Sequence, residues 1–381
     1  MADGDGSDGH TLWDEVRAMA SGRTPFTSVY LPADPTQEGA AHRLDLEWRH
    51  LRDELVEQGT PDDVLGRVEA LVLGERHGGT IAVVVDADGQ SVERTLPEVE
   101  AGPLAIHGPL PHLAPLVAAA QANPPYVVAL VDRRGADIVT VVDGTRIADD
   151  ESVDGDPRAP ITKVHAGGWS QRRIQQRAEN TWEENAGSVA EEVAAAARRA
   201  HASVVIVAGD ERAVALLQDH APHDLAELLE VVDTGGRAVD GSADELQREV
   251  ERVVATVHAR RTRDVLARFV ELRERRADVA DGPGATFAAL REALADEVLV
   301  HAGSDDRRTA WFEPTSHSLV ASEARTLRDL GVEPVEAPLV DVVVWSALGT
   351  GASVQLVPGA GPNVPVEGLG AFLRGPLGHD A

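Results

Sequence analysis

Cysteine is absent from all 381 residues, which rules out disulfides, thiolate nucleophiles and cysteine-held metal. Lysine is nearly absent as well. Lys163 is the single copy, so arginine carries almost all of the positive charge. No apolar run reaches the roughly 18 residues that mark a membrane span. The first ten residues are acidic and glycine-rich, without the basic start and apolar stretch of a signal peptide. They read as a disordered tail, and the expected location is the cytoplasm. Positive charge is also scarce overall: the net charge is −29. Spread evenly, that charge repels nucleic acid and anionic membranes, so neither a membrane nor free DNA is an expected partner.

What is present is enough for several cores. Hydrophobic residues make up 43% of the chain, and this length accommodates two or three domains. The 35 glycines and 22 prolines are scattered and read as turns. Thr27 to Leu31 has the β-rich pattern of a strand, closed by Pro32. A helix is expected from about Glu38 to Gln58, with Leu44, Leu46, Leu51 and Leu55 as its apolar stripe. A second helix restarts at Pro61-Asp62-Asp63. Thr80 to Val85 reads as a buried strand with Glu93 to Leu96 as its partner, and Pro111 to Gln121 as a further helix.

Beyond Ala122-Asn123-Pro124-Pro125 the pattern changes. Tyr126 to Asp132 and Asp137 to Val142 read as strands, and the acidic stretch Asp149 to Pro160 as a loop. A long helix is expected over Gln171 to His201, with Ile174, Ala178, Trp182, Val189 and Val193 facing a core. Ser203 to Ala208 is a buried strand, and Gly209-Asp210 caps the next helix, to about His220. A further long helix runs from about Ala243 into the arginine-rich stretch His258 to Arg263. The remainder reads as α/β again, with helices over Phe287 to Asp296 and Ala321 to Leu330 and strands at Val298 to Val300 and Val354 to Val357. Alternating strands and helices indicate an α/β layer fold.

One segment reverses the charge of the whole. Between Arg158 and Arg177 lie five fixed positive charges, Arg158, Lys163, Arg172, Arg173 and Arg177, with no acid among them; His165 adds a titratable site. They surround Gly167-Gly168-Trp169-Ser170-Gln171. Two glycines reach backbone angles closed to other residues, and the helix expected just after them presents free N–H groups and the positive end of its dipole. That combination suits a phosphate backbone. A Gly-Gly turn whose arginines pair with the acidic stretch before it is the competing reading. Trp169 at such a tip has a use if it stacks on a base.

The remaining motifs carry less. Trp169-Ser170-Gln171 is no nucleophile elbow, since Arg172 stands where the second glycine belongs. Gly349-Thr350-Gly351 and Gly359-Ala360-Gly361 lack the lysine and spacing of a phosphate loop. His107 and His112 sit in a proline-rich turn without acidic neighbours, where a packed or surface role outranks a metal pair. No metal or cofactor is expected. His258 to Arg263 reads first as a solvated helix face, and second as a contact for ribosomal RNA.

The central segment resembles the archaeo-eukaryotic class I release factors and Pelota. In that superfamily two strands lead to a basic Gly-Gly-Gln loop, then a long helix, then a buried strand ending in Ala-Gly. Here Tyr126 to Val142 supply the strands and Lys163-Val164-His165-Ala166-Gly167-Gly168 lead in. Ser170-Gln171-Arg172-Arg173 follow, and Val204 to Gly209 ends in Ala-Gly. Thr27 to Pro32 with its helical pair, and Gly282 to Leu294 with Val298 to Val300, resemble the terminal domains. The match is best to bacterial members of the superfamily, including the Balon-type ribosome hibernation factors.

The resemblance implies three α/β domains in release-factor order, at 11–124, 125–255 and 256–381, the central one a mixed sheet flanked by helices. It implies a ribosome partner, with RNA contacts at Lys163, His165, Gly167, Gly168, Trp169, Ser170, Gln171, Arg172, Arg173 and Arg177. Elongation factor Tu is the implied GTPase partner. Two departures shape the expected function. Trp169 replaces the glutamine that helps place water at the ester of peptidyl-tRNA, leaving Gln171 two positions further on. The stop-codon-reading Asn-Ile-Lys-Ser tip is missing, and the corresponding turn, Glu57 to Asp63, is acidic. The expectation is a factor that occupies idle or stalled ribosomes without decoding. The alternative is a peptidyl-tRNA hydrolase or tRNA-end nuclease that uses Gln171.

Overall fold

The computed structural model describes residues 12–33, 40–74, 79–96, 102–132, 135–142, 147–154, 162–163, 182–233, 242–303, 306–361 and 363–375. These form two compact units. Residues 122–261 make the first, and residues 12–121 together with 262–381 make the second.

The first length of the second unit runs α1 (Leu12–Ala20), β1 (Phe26–Ala33), α2 (Ala40–Glu57), α3 (Asp62–Val72), β2 (Gly79–Val85), β3 (Ser91–Leu96), β4 (Leu104–Gly108) and α4 (Ala114–Ala122). Its four strands pair antiparallel in the order β3-β2-β1-β4. Side chains alternate across this sheet as the two-residue strand period requires. Val29, Leu31, Ile81, Val83 and Val85 face a core shared with α2 and α3. Phe26, Tyr30, Ala82 and Val84 enter the opposite core. The buried stripe of α2 corrects the expectation. Trp48, Leu51 and Leu55 are buried with Leu44 packed beside them, whereas Leu46 is 48% exposed. Positions 44, 48, 51 and 55 follow the helical repeat, and position 46 falls on the far side.

The first unit contains β5 (Tyr126–Asp132), β6 (Gly135–Val141), β7 (Ile147–Asp154), β8 (Thr162–Lys163), α5 (Trp182–Ala200), β9 (Val204–Gly209), α6 (Glu211–His220), α7 (His223–Ala226) and β10 (Leu229–Val231). α8 (Ser242–Glu274) starts here. One mixed sheet has the order β10-β9-β5-β6-β7-β8. The pairs β10/β9 and β9/β5 are parallel, and β5/β6, β6/β7 and β7/β8 antiparallel. Val127, Ala129, Val131, Val205 and Val207 face α5 and α6. Val128, Val204, Ile206 and Ala208 face Leu246, Val250, Val253 and Val254 of α8. Central strands buried on both faces have no room for alternation, hence the continuous apolar run at Val204 to Ala208.

Asp149 to Pro160, expected as a loop, is strand as far as Asp154. β7 is sandwiched in the ladder between β6 and β8. Aspartate has low β propensity, but pairing on both sides outweighs it. Pro157 and Pro160 lie outside the described residues.

The second length of the second unit comprises β11 (Val279–Asp281), α9 (Pro283–Arg291), β12 (Ala295–His301), β13 (Thr309–Glu313), β14 (Ser316–Ala321), α10 (Ala324–Asp329), β15 (Val335–Pro338), α11 (Leu339–Gly349), β16 (Ser353–Val357) and β17 (Leu369–Leu373). One sheet has the order β11-β17-β12-β16 and a smaller one the order β14-β13-β15. The helix expected over Ala321 to Leu330 is shorter, because Ala321 closes β14 and α10 starts at Ala324. Leu339 to Leu348 of α11 are buried without exception. Val342, Val343 and Trp345 share one core with Leu113, Leu116 and Val117 of the first length. The protein is thus mixed α/β throughout, and its two terminal lengths of chain are packed on a common interior.

Candidate functional site

The basic glycine segment is bracketed by two described elements. β8, Thr162–Lys163, is the outermost strand of the mixed sheet, and Lys163 stands in register opposite Glu151 of β7. α5 begins at Trp182 and is held on the sheet by Ala186, Val189, Ala190, Val193 and Ala197, all buried. Of the expected RNA-contact residues, Lys163 is therefore placed, on the sheet's rim. His165, Gly167, Gly168, Trp169, Ser170, Gln171, Arg172, Arg173 and Arg177 lie outside the described residues, as does the expected helical stretch from Gln171 to Thr181.

The strand that returns from α5 ends as the sequence pattern requires. Gly209 has φ +134°, and a Cβ there would run into the carbonyl of Val131. Asp210 then donates its N–H to that same carbonyl at 3.0 Å. Its side chain caps α6, accepting from the N–H groups of Arg212 and Ala213 at 3.2 and 3.3 Å. The Ala-Gly ending is a packing requirement of the β5/β9 pair.

The turn between α2 and α3 is tied back onto the sheet. Gly59 takes φ +84°, and Thr60 is buried. Gln58 donates to the Ala105 carbonyl at 3.1 Å and accepts from the His107 N–H at 2.7 Å, both on the free edge of β4. Glu57, Gln58, Gly59, Pro61, Asp62 and Asp63 are exposed, and the carboxylates among them make an anionic surface that disfavours RNA.

Two arginines of the arginine-rich stretch of α8 lie near carboxylates. Arg260 lies 3.5 Å from Glu230 and Arg263 4.0 Å from Asp264. Arg198, exposed at the end of α5, pairs with Asp224 at 2.8 Å; hydrogen bonding to that carboxylate raises the guanidinium pKa and lowers that of Asp224. Gly349-Thr350-Gly351 is the end of α11, where the Thr350 hydroxyl donates to the Ser346 carbonyl at 2.8 Å. Among the described residues no group of three or more histidines and carboxylates could hold a metal ion. None of the described helices is long and apolar enough to cross a membrane.

His107 and His112 separate in role. His107 Nδ1 is 2.9 Å from the Thr27 hydroxyl, and burial lowers its pKa. His112 does have an acidic neighbour, contrary to the sequence reading. Its Nδ1 is 2.8 Å from Asp341 Oδ1, a residue far along the chain and invisible to local inspection. The available signal was Asp341 itself, a single carboxylate inside the apolar run Leu339 to Leu348. A charge in such a run is retained only with a partner.

Residues 125–275 match the model of bacterial archaeo-eukaryotic release factor family 2. Over 376 residues the chain is 26% identical to "Uncharacterized protein Rv2629" of Mycobacterium tuberculosis strain H37Rv, covering 95% of this chain and 96% of the relative. Among solved structures, Archaeoglobus fulgidus Pelota aligns over 97% of this chain and 93% of its own at 14% identity, with a TM-score of 0.37. The archaeal Pelota in a model of ribosome-bound Pelota and ABCE1 aligns over 97% and 95% at 15% identity, with a TM-score of 0.41. The chain is release factor-like: its central segment, residues 125–275, matches the model of bacterial archaeo-eukaryotic release factor family 2.

Proposed function

We propose that this protein is a ribosome-associated factor that enters the A site of idle or stalled ribosomes and carries residues 164–181 toward the peptidyl-transferase region, without reading a stop codon. The carrying observation is the family match over 125–275, within which falls the long basic, acid-free stretch from Arg158 to Arg177 in a chain of net charge −29. The acidic, tied-down turn at Glu57 to Asp63 supports the absence of decoding. In this reading the chain keeps the release-factor order of domains, 11–124, 125–255 and 256–381, works in the cytoplasm and meets elongation factor Tu on the ribosome. The RNA contacts are Lys163, His165, Gly167, Gly168, Trp169, Ser170, Gln171, Arg172, Arg173 and Arg177.

Co-sedimentation with vacant 70S ribosomes tests the proposal. Binding that is lost when Arg172 and Arg173 are both changed to Gln is the expected result. Absence of the wild-type protein from every ribosome fraction overturns it. The enzymatic alternative is separated by incubation with peptidyl-tRNA on stalled ribosomes. Release that disappears in Gln171→Ala moves the assignment to a hydrolase, with the side-chain amide placing water.

A further inference from the structure

The second unit closes along a seam between residues 12–121 and residues 262–381, and one ionisable pair lies within it. His112, between β4 and α4, is fixed to the first length on three sides. Its N–H donates to the Ser28 hydroxyl at 3.0 Å, and its carbonyl accepts from the Tyr30 hydroxyl at 2.6 Å. The Tyr30 ring stands edge-on to the imidazole at 6.0 Å. The imidazole's link to the other length is Asp341, in the first turn of α11, at 2.8 Å. The Asp341 side chain is 3% exposed and that of His112 21%. Around Asp341 the helix is apolar and buried, with Val340, Val342, Val343 and Val344 as neighbours in sequence.

A carboxylate in such a place is costly unless a cation faces it. The positive group facing Asp341 here is the imidazole, and it is positive only when protonated. We propose that His112 and Asp341 form a proton-operated latch that holds the two lengths of the second unit together and loosens when the imidazolium loses its proton. This goes beyond the ribosomal reading and does not depend on it.

The direction follows from the groups that face the imidazole, Asp341 from α11 and Tyr30 from β1. Burial alone pushes the His112 pKa down, but the charge and hydrogen bond of Asp341 outweigh it, and the net shift is upward. Burial first and Asp341 second hold the Tyr30 phenol well above its ordinary value, so it stays protonated. With the folded value above the unfolded one of about 6.5, the latch is fully closed below that pH. It is lost as pH rises through the folded value. Two contacts insensitive to this proton keep the seam from parting altogether. Gln121 binds both backbone groups of Leu356, and the three apolar residues Leu113, Leu116 and Val117 share a core with α11.

Hydrogen exchange of the full-length protein between pH 6 and 9, corrected for intrinsic rates, reads the latch at residues 113–120 and 339–348. The expected wild-type result is a rise in opening at these sites as pH climbs through the folded value. His112→Gln and Asp341→Asn should flatten that rise. An identical pH profile in wild type and His112→Gln overturns the proposal, as does a flat wild-type profile. If His112→Gln does not fold, the His112 imidazole resonances of the wild-type protein decide. A midpoint above about 6.5 supports the latch, and one below that ordinary value overturns it.

Discussion

The side-chain amide of Gln121 pairs with Leu356 as a neighbouring strand would, its Oε1 accepting from the backbone N–H at 2.8 Å and its Nε2 donating to the carbonyl at 3.4 Å. β16 is the outer strand of its sheet, so the amide closes a free edge. Gln58 does the same on β4 at the edge of another sheet. Exposed edges are templates for unwanted pairing. Gln121→Ala should therefore destabilise the protein by ~1–3 kcal/mol through unsatisfied backbone groups, and should raise self-association in light scattering at high concentration. Gln58→Ala should behave alike. A change under about 0.5 kcal/mol in denaturant melts, the level of an ordinary surface substitution, would show that water replaces the amide at no cost.

Gly209→Ala probes the β5/β9 junction. The added methyl meets the Val131 carbonyl, at a φ that disfavours any side chain. The expected loss is about 2–3 kcal/mol, measured by urea unfolding. Gly284→Ala in α9, where nothing crowds the site, serves as the control and should be neutral or mildly stabilising.

On α2 two nearby apolar residues should separate cleanly. Trp48→Ala removes a fully buried ring and should cost about 3–5 kcal/mol. Leu46→Ala, on the exposed side, should stay within about 0.5 kcal/mol.

Acid should act in the opposite direction to the histidine latch. Asp306 accepts from Arg308 Nε at 2.9 Å, and that hydrogen bond is the chief reason its pKa is lowered. A depressed folded value means the contribution is present above the unfolded pKa of about 3.9 and vanishes as pH falls through the folded value. Thermal melts below pH 4 should show wild type and Asp306→Asn converging, having differed at pH 7. A constant gap would place the effect in geometry and not in charge.

Ribosome binding should be strongly salt-dependent. If all five positive charges between Arg158 and Arg177 meet phosphates, the logarithmic slope of affinity against salt is about −4. Changing Arg172 and Arg173 to Gln should reduce its magnitude by about 1.5. Filter binding or sedimentation across a salt series gives the slope directly, and a salt-independent affinity would remove phosphate contacts from the account.

Sequence legibility followed range. β5 and β9 were readable because strands buried on both faces are written as unbroken apolar runs. α6 was readable because Asp210 is a local cap, and α3 because Pro61 and its two aspartates open it. β7 was not, since four acids in eight residues argue against a strand until β6 and β8 supply the ladder. The His112–Asp341 pair was hidden for the same reason, each half being uninformative without the other. The glycine segment was legible as a charge reversal. Its geometry lies outside the described residues, so its role rests on composition and family.

The interruption of the second unit has a consequence for biosynthesis. Its core needs residues from before 121 and from after 262. A nascent chain therefore holds α4 and its apolar neighbours without their partners while the whole intervening unit is made. At ordinary elongation rates this wait is on the order of ten seconds. During that time Leu113, Leu116 and Val117 are a natural client surface for a holding chaperone. Excising residues 122–261 and rejoining the ends with a short linker should shorten the exposure and leave a body that folds by itself.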